Sequence, residues 1–267
     1  MDLDETQFQL IKSIGFVASF AAVYALQAFL PYRRQWRLGT RSWFQNIPLA
    51  AVNTIILSAV CGACLCTVSR YAAEHRFGLF HVLGIPASLA APATLVVQDF
   101  ALWLWHMLNH RLAWLWRFHR VHHSDGGFDI STSLRFHSGE LLLSLPLRMT
   151  VIAALGAPLI GVLLFEILFG LFNILVHANL RLPAAWENRL LPVIVLPCAH
   201  RLHHSVRRED HQSNFGTVFS TWDRWFGTWR EARSTDAVRT GLPGLSETPL
   251  TLWRCLMLPF QGVARPH

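Results

Sequence analysis

The stretch WHMLNHRLAWLWRFHRVHH, residues 105–123, carries His106, His110, His119, His122 and His123, and HRLHH repeats the density at His200, His203 and His204. Histidine is neither a strong helix former nor a residue that lipid or a dry core favours, so propensity and burial give no reason for the clustering. The spacing does. His106 and His110 stand four apart, and each H-x-x-H-H box combines separations of three and four, which places each set on one face of a helix. Two further histidines flank an apolar block, His137 in RFHSGE before it and His177 in LVHANL after it. Crowded imidazoles cannot all hold a proton, and left neutral they present lone pairs that need a Lewis acid. The chemistry expected of these ten side chains is metal binding. His75, His81, His211 and His267 stand apart from the boxes and read as ordinary interfacial polar residues.

One tetrahedral zinc takes about four ligands, and a catalytic zinc about three plus water. The ten candidates are enough for two ions. Imidazole suits iron, copper, zinc and nickel alike, so ligand type leaves the metal open. Cys61, Cys64 and Cys66 lie inside an apolar run, and Cys198 and Cys255 lie far from them, which suits small packing residues better than a thiolate site or a disulfide framework. A bis-histidine haem would pair rings across helices inside the bilayer rather than crowd three into five surface positions. A zinc hydrolase would want an H-E-x-x-H glutamate, and none is present.

The elements that must position these residues are membrane helices. Apolar residues make up 52% of the 267-residue chain and charged residues 15%, against about 25% in soluble domains. The mean hydropathy is +0.33. A net charge of +7 would suit nucleic acid in a soluble chain, but the basic residues, all arginine except Lys12, lie between apolar segments, so no nucleic-acid partner is expected. Residues 8–31, 47–67 and 84–105 are each long enough to cross a hydrocarbon core of about 30 Å, which takes about 20 residues. The block 141–176 is too long for one crossing, and Gly-Ala-Pro at 156–158 divides it into a hairpin. The expected fold is an all-α integral membrane protein of four to five membrane helices, three N-terminal spans plus the hairpin, with a cytosolic helical cap carrying the histidine boxes. The acidic start MDLDET has no small-residue cleavage site after it, so a removable signal peptide is not expected. The arginines of RRQWRLGTR place that loop in the cytoplasm, and counting crossings from there puts every histidine cluster on the cytoplasmic side. Trp103, Trp105, Trp114 and Trp116 set the first cluster at headgroup depth, and LLPVIVLP, residues 190–197, is too short to span and is expected at the interface. The organisation expected is N-terminal transmembrane segments over 1–83, a catalytic unit over 84–230 and a C-terminal tail over 231–267.

DFALWLWHMLNH, HRVHHSD, RFHSGE, HANLRLP, HRLHHS and NFGTVFSTWDRWFGT, in this order, resemble the fatty acid hydroxylase/sterol desaturase superfamily of integral-membrane oxygenases. The resemblance runs from about residue 95 to 230. It implies a non-haem centre of two iron ions, with zinc possible in purified protein, and O₂ as co-substrate. The implied ligands are His106, His110, His119, His122, His123, His200, His203 and His204, with His177 as the further histidine between the second and third boxes. His137 matches a motif histidine, although the family often has proline where this chain has Ser138. Asp99, two helical turns before His106 on the same face, either orients His106 as an outer hydrogen-bond acceptor or simply closes a helix end. Asn214 and Asp223 match the tail motif and read as structural.

The implied reaction hydroxylates or desaturates a C–H position of a lipid, sterol or fatty acyl or related. Such a hydrogen has no useful acidity, so a redox metal rather than side-chain acid–base chemistry has to remove it. Ether cleavage by the same histidines is an alternative, and a membrane metal-binding or transport protein is another. Transport would want ionisable groups at mid-membrane, and the apolar runs read as nearly free of them until their ends. No G-x-G-x-x-G, ferredoxin cysteine set or haem domain is visible, so electrons are expected from an external ferredoxin- or cytochrome-type donor.

Overall fold

The computed structural model describes residues 3–33, 39–61, 64–233, 237–247 and 250–262. Most of the arginine-rich loop (34–38) and His267 lie outside that set, as does the side chain of Cys61. Regular structure among the described residues is helical, with only isolated β-bridges beside it. In chain order α1 is Glu5–Phe29, α2 Gly39–Cys61, α3 Cys64–Glu74, α4 Leu79–Val82 and α5 Ala87–Arg111. α6, Ala113–His123, follows after one extended residue, Leu112, and a short 3₁₀ turn over Ile130–Leu134 leads to α7, Ser138–Leu155. α8, Leu159–His177, returns from it. Short helices complete the chain: α9 Ala184–Leu190, α10 Pro197–His203, α11 Arg208–His211, α12 Thr221–Trp225 and α13 Leu252–Met257.

Local chemistry explains the boundaries. Asp4 and Gln7 form a reciprocal capping box at the start of α1. Pro86 and Pro158 sit at the N-caps of α5 and α8, where a missing N–H costs nothing. The hairpin breaks where Gly-Ala-Pro predicts. Gly156 caps α7 in the left-handed region at φ 65°, and a Cβ there would stand 2.4 Å from the Phe77 carbonyl oxygen.

Five stretches are long and apolar enough to cross a membrane: Glu5–Phe29, Ser42–Val82, Ala87–Arg111, Ser138–Leu155 and Leu159–His177. They leave Leu10, Ile14, Val17, Ile55 and Leu89 facing outward, an arrangement costly in water and required in lipid. The expected second span, 47–67, is longer than anticipated and divided between α2 and α3. At the turn end of the hairpin, Phe8, Cys66, Phe80, Ile152, Leu155 and Val162 form one core cluster.

LLPVIVLP is half buried: Leu191, Val195 and Leu196 pack in a cluster with Val176, Ala199 and Leu202 beneath the third histidine box, while Pro192 and Val193 stay exposed. One expectation changes: the hairpin is not free of charge. Arg148 on α7 pairs with Glu166 on α8, well inside both spans and largely buried. Away from the turn and this pair the two helices pack mainly on others: α7 on α5 and α3, and α8 on α1 and α5. The C-terminal segment straps across α6, with Leu250, Cys255 and Leu258 packed against Leu49 and Val121. Arg120 Nη2 donates to the carbonyls of Leu258 and Gln261 in the same strap.

Candidate metal centre

Nine histidines meet at one end of the bundle in two adjoining groups. One ring nitrogen each from His106, His110, His119, His123 and His203 lies within 4.8 Å of all the others in its group, and the same holds for His122, His177, His200 and His204. Eight of the nine are fully buried, and His106 is partly so. The groups share a boundary at His123 and His204, whose rings stack at 4.2 Å and 11°.

Each H-x-x-H-H box divides between the groups, instead of presenting a single face. On α6, His119 and His123 are one turn apart and point into the first group, while His122 is rotated into the second. Around α10 the sense is reversed: His200 and His204 enter the second group and His203 the first. Each box therefore bridges both positions, and the i, i+4 pair of one box faces the lone member of the other.

Outer hydrogen bonds fix which nitrogen five of the rings present. Nδ1 of His106 donates to Phe215 O (2.7 Å), of His122 to Arg135 O (3.2 Å), of His177 to Asn173 O (2.6 Å) and of His203 to Ser213 O (2.7 Å). His119 Nδ1 donates to Glu140 Oε1 at 2.8 Å. With Nδ1 carrying the proton, Nε2 of each ring is a lone pair. In the second group, His177 Nε2 stands 3.0 Å from both His122 Nε2 and His200 Nε2. His177 and His122 then face each other lone pair to lone pair, an arrangement that repels without a cation between them. Among the described residues, Nε2 of His106, His119 and His203 in the first group has no hydrogen-bond partner, nor does either nitrogen of His110 and His123. Burial, and after it the neighbouring imidazoles, holds His122, His123, His200 and His204 well below the ordinary histidine pKa, so these rings are neutral donors to a metal. The donor set fits one transition metal per group.

Two expected site residues lie elsewhere. His137 is outside both groups: its Nδ1 accepts from Gly139 N as the N-cap of α7, and its Nε2 faces Leu256 O at 3.1 Å. Both ring nitrogens are therefore committed. Asp99 does not touch His106. Its carboxylate accepts from Val218 N, Phe219 N and Trp222 Nε1, anchoring the loop after α11. Asp223 braces the same loop through Phe215 N, Gly216 N, Thr228 Oγ1 and Trp103 Nε1. That loop carries the Ser213 and Phe215 carbonyls that hold His203 and His106, so the tail motif acts on the centre through its backbone. The sequence reading missed Glu140, Arg135 and His211. Glu140 was visible three residues after His137, and Arg135, fully buried, ties Val121 O, Ser124 Oγ and Asn46 Oδ1 around the end of α6. His211 is no interfacial residue: it is buried, stacked on Trp116 at 5.8 Å and 6.0 Å from His110.

A small pocket of about 70 Å³ opens on the groups, walled by Leu102, Trp105, Phe136, Phe169 and Val176. Phe136 stacks on His122 at 4.3 Å. The buried Asn109 amide, which has no hydrogen-bond partner among the described residues, also lines it.

Five stretches long and apolar enough to cross a membrane, with a buried, all-imidazole double site that could hold two metal ions, define an integral-membrane protein of the histidine-box type. The comparisons agree. The model of the fatty acid hydroxylase family matches residues 91–228, and the chain belongs to that family. It is therefore an oxidoreductase acting on lipids. It is similar to the ornithine lipid hydroxylase OlsE of Rhizobium tropici, 25% identical over 87% of this chain and 71% of that one. Human cholesterol 25-hydroxylase is 28% identical over 84% of this chain and 83% of its own length. An alkylglycerol monooxygenase of Caenorhabditis elegans is 29% identical over 55% of this chain and 28% of its own. No solved structure matches the chain.

Proposed function

We propose that this protein is a membrane-bound, non-haem di-iron oxygenase that hydroxylates or desaturates a lipid C–H position with O₂ and two electrons. The observation that carries the reading is the pair of adjoining all-histidine groups: His177 and His122 are turned Nε2 to Nε2 in one, and Nε2 of His106, His119 and His203 has no hydrogen-bond partner among the described residues in the other. His106, His110, His119, His123 and His203 would hold one ion, and His122, His177, His200 and His204 the other. Iron there would supply the one-electron redox chemistry that an unactivated C–H bond requires. The chain's own residues orient the ligands through Glu140 and the carbonyls of residues 135, 173, 213 and 215. Trp105, Phe136 and Phe169 keep water from the pocket, and Asn109 offers it a polar contact. Residues 84–230 would form the catalytic unit, framed by 1–83 and the 231–267 strap.

The histidine end faces the cytoplasm in this reading. An external ferredoxin- or cytochrome-type donor docks on the arginines beside it, of which Arg207 is 67% exposed. Hydroxylation is favoured over ether cleavage by the coverage of the relatives: the two hydroxylases match over most of their length, the alkylglycerol monooxygenase over little.

The test is elemental mass spectrometry on detergent-purified protein made without a histidine tag, beside a His122→Ala/His203→Ala double variant. About two irons per chain, lost in the variant, followed by O₂-dependent oxidation of lipid with a reductase, is the expected result. Two zincs would preserve the site and require remetallation before any assay, since zinc has no redox chemistry. Metal bound without oxidation after iron loading would favour the binding or transport alternative. No metal in either protein would sink both.

A further inference from the structure

The pocket at the metal groups holds about 70 Å³, too little for more than the reacting segment of a lipid. The remainder of the substrate needs other space, and the molecule provides it in the splayed hairpin. A cavity of about 640 Å³ lies between α1, α2, α3, α7 and α8. On α7 it begins at Leu141, next to the Glu140 that bounds the metal pocket, and extends to Arg148. On α8 it ends at Glu166, which shares a helix face with Phe169, Asn173 and His177, spaced three and four apart. Arg148 is two turns from Glu140, about 12 Å, and Glu166 three turns from His177, about 16 Å, at about 1.5 Å per residue. The two spaces therefore lie end to end along both arms of a hairpin whose helices meet mainly at its turn and through the Arg148–Glu166 pair.

The far end is polar, which a lipid-embedded space need not be. Lys12, Arg148, Glu5 and Glu166 line it, two cations against two carboxylates, with the hydroxyls of Ser13, Ser58 and Ser144. Ionisable groups inside a span are costly and mark a site rather than a scaffold. Their charges cancel, so the lining favours no net charge in a ligand, while the hydroxyls and ion pair offer hydrogen bonds of both kinds. Ser13 on α1 and Ser58 on α2 are exposed at the rim, which leaves a sideways opening to the bilayer between these helices.

We propose that this cavity binds the uncharged, hydroxyl-bearing end of an elongated amphiphile, and that the Arg148–Glu166 pair sets how far along the molecule the metal groups act. The proposal deepens the lipid-oxygenase reading and rests on it only for the second clause. A ligand enters between α1 and α2, leaves its polar end at Arg148 and Glu166, and lays its apolar length along α7 and α8 toward His122 and His177. The carbon presented lies about 12–16 Å from the polar end, the span of the two helix segments.

The test is photolabelling of purified protein in nanodiscs with a sterol bearing a diazirine beside its ring hydroxyl, against a fatty-acid probe with a diazirine beside its carboxylate. The expected result is labelling of peptides containing Ser13, Ser58 or Ser144 by the sterol probe, competed by unlabelled sterol, with far less by the carboxylate probe. Ser144→Trp should lower competable labelling about tenfold, the equivalent of about 1.4 kcal/mol, at unchanged metal content. Ser58→Trp at the exposed rim should do the same if the first variant folds poorly. Labelling confined to outward-facing Leu10, Val17 or Ile55, or equal labelling by both probes, would overturn the proposal. Binding needs neither turnover nor iron. Cavity labelling in protein that takes up no metal would leave this site standing and remove the oxygenase reading; two irons without competable labelling would do the reverse.

Discussion

Glu140 Oε1 accepts from His119 Nδ1 at 2.8 Å, and its second oxygen, Oε2, is buried without a hydrogen-bond partner among the described residues. It is the one carboxylate among the described residues that hydrogen-bonds a histidine of either group, and it fixes the orientation of that ring with Nε2 turned into the first group. Glu140→Gln keeps the shape and removes the charge. It should weaken metal retention about 10- to 100-fold, the usual cost of losing such a partner. A chelator titration followed by elemental analysis checks this; retention equal to the parent would mean that Glu140 merely packs.

The division of each box between the groups makes a prediction that a single shared site does not. His122→Ala and His123→Ala are neighbours in sequence and belong to different groups. Each should lose about one of two ions, and their metal-binding isotherms should differ. Loss of both ions from either single variant would contradict the partition.

His137 as a cap rather than a ligand is equally direct. His137→Ala should leave metal content unchanged and lower stability by about 1 kcal/mol, the loss of an N-cap acceptor. Thermal unfolding in detergent, read beside metal content, separates the two roles, and a lost metal ion would restore His137 as a ligand.

Asp223 joins α5 to the loop that carries Phe215, and through it His106. Asp223→Asn leaves one of its four donors facing an amide N–H and should cost about 1–3 kcal/mol. Asp99→Asn should act similarly on stability without moving His106, because its partners lie beyond Phe215. A shift in metal affinity with Asp223→Asn alone, measured by competition with a chelator, is the expected contrast.

Acid should empty the site. In the folded chain burial holds His200, His203 and His204 well below the ordinary pKa, whereas in the unfolded chain they titrate near about 6.5. The unfolded, metal-free state therefore binds more protons as pH falls through about 6.5, so folding stability and metal occupancy are complete above that pH and decline below it. Dialysis across pH 5–8 with elemental analysis tests the direction; occupancy rising on acidification would refute it.

The sequence alone determined the membrane class, four to five candidate crossings, the hairpin break at Gly156 and ten histidines of which nine converge, because apolar length, glycine conformation and metal-ligand spacing are local properties. RFHSGE already contained Glu140, yet its carboxylate meets His119 from 21 residues away, a distance only folding closes. The expectation for Asp99 rested on helical phase with His106; the loop at 215–222 took its oxygens first, since backbone N–H groups there had no other partner. Which box histidine serves which group, the Arg148–Glu166 pair across the splayed hairpin and the burial of His211 were decided by how helices far apart in the chain pack. Periodicity states which residues share a face and is silent about what that face meets.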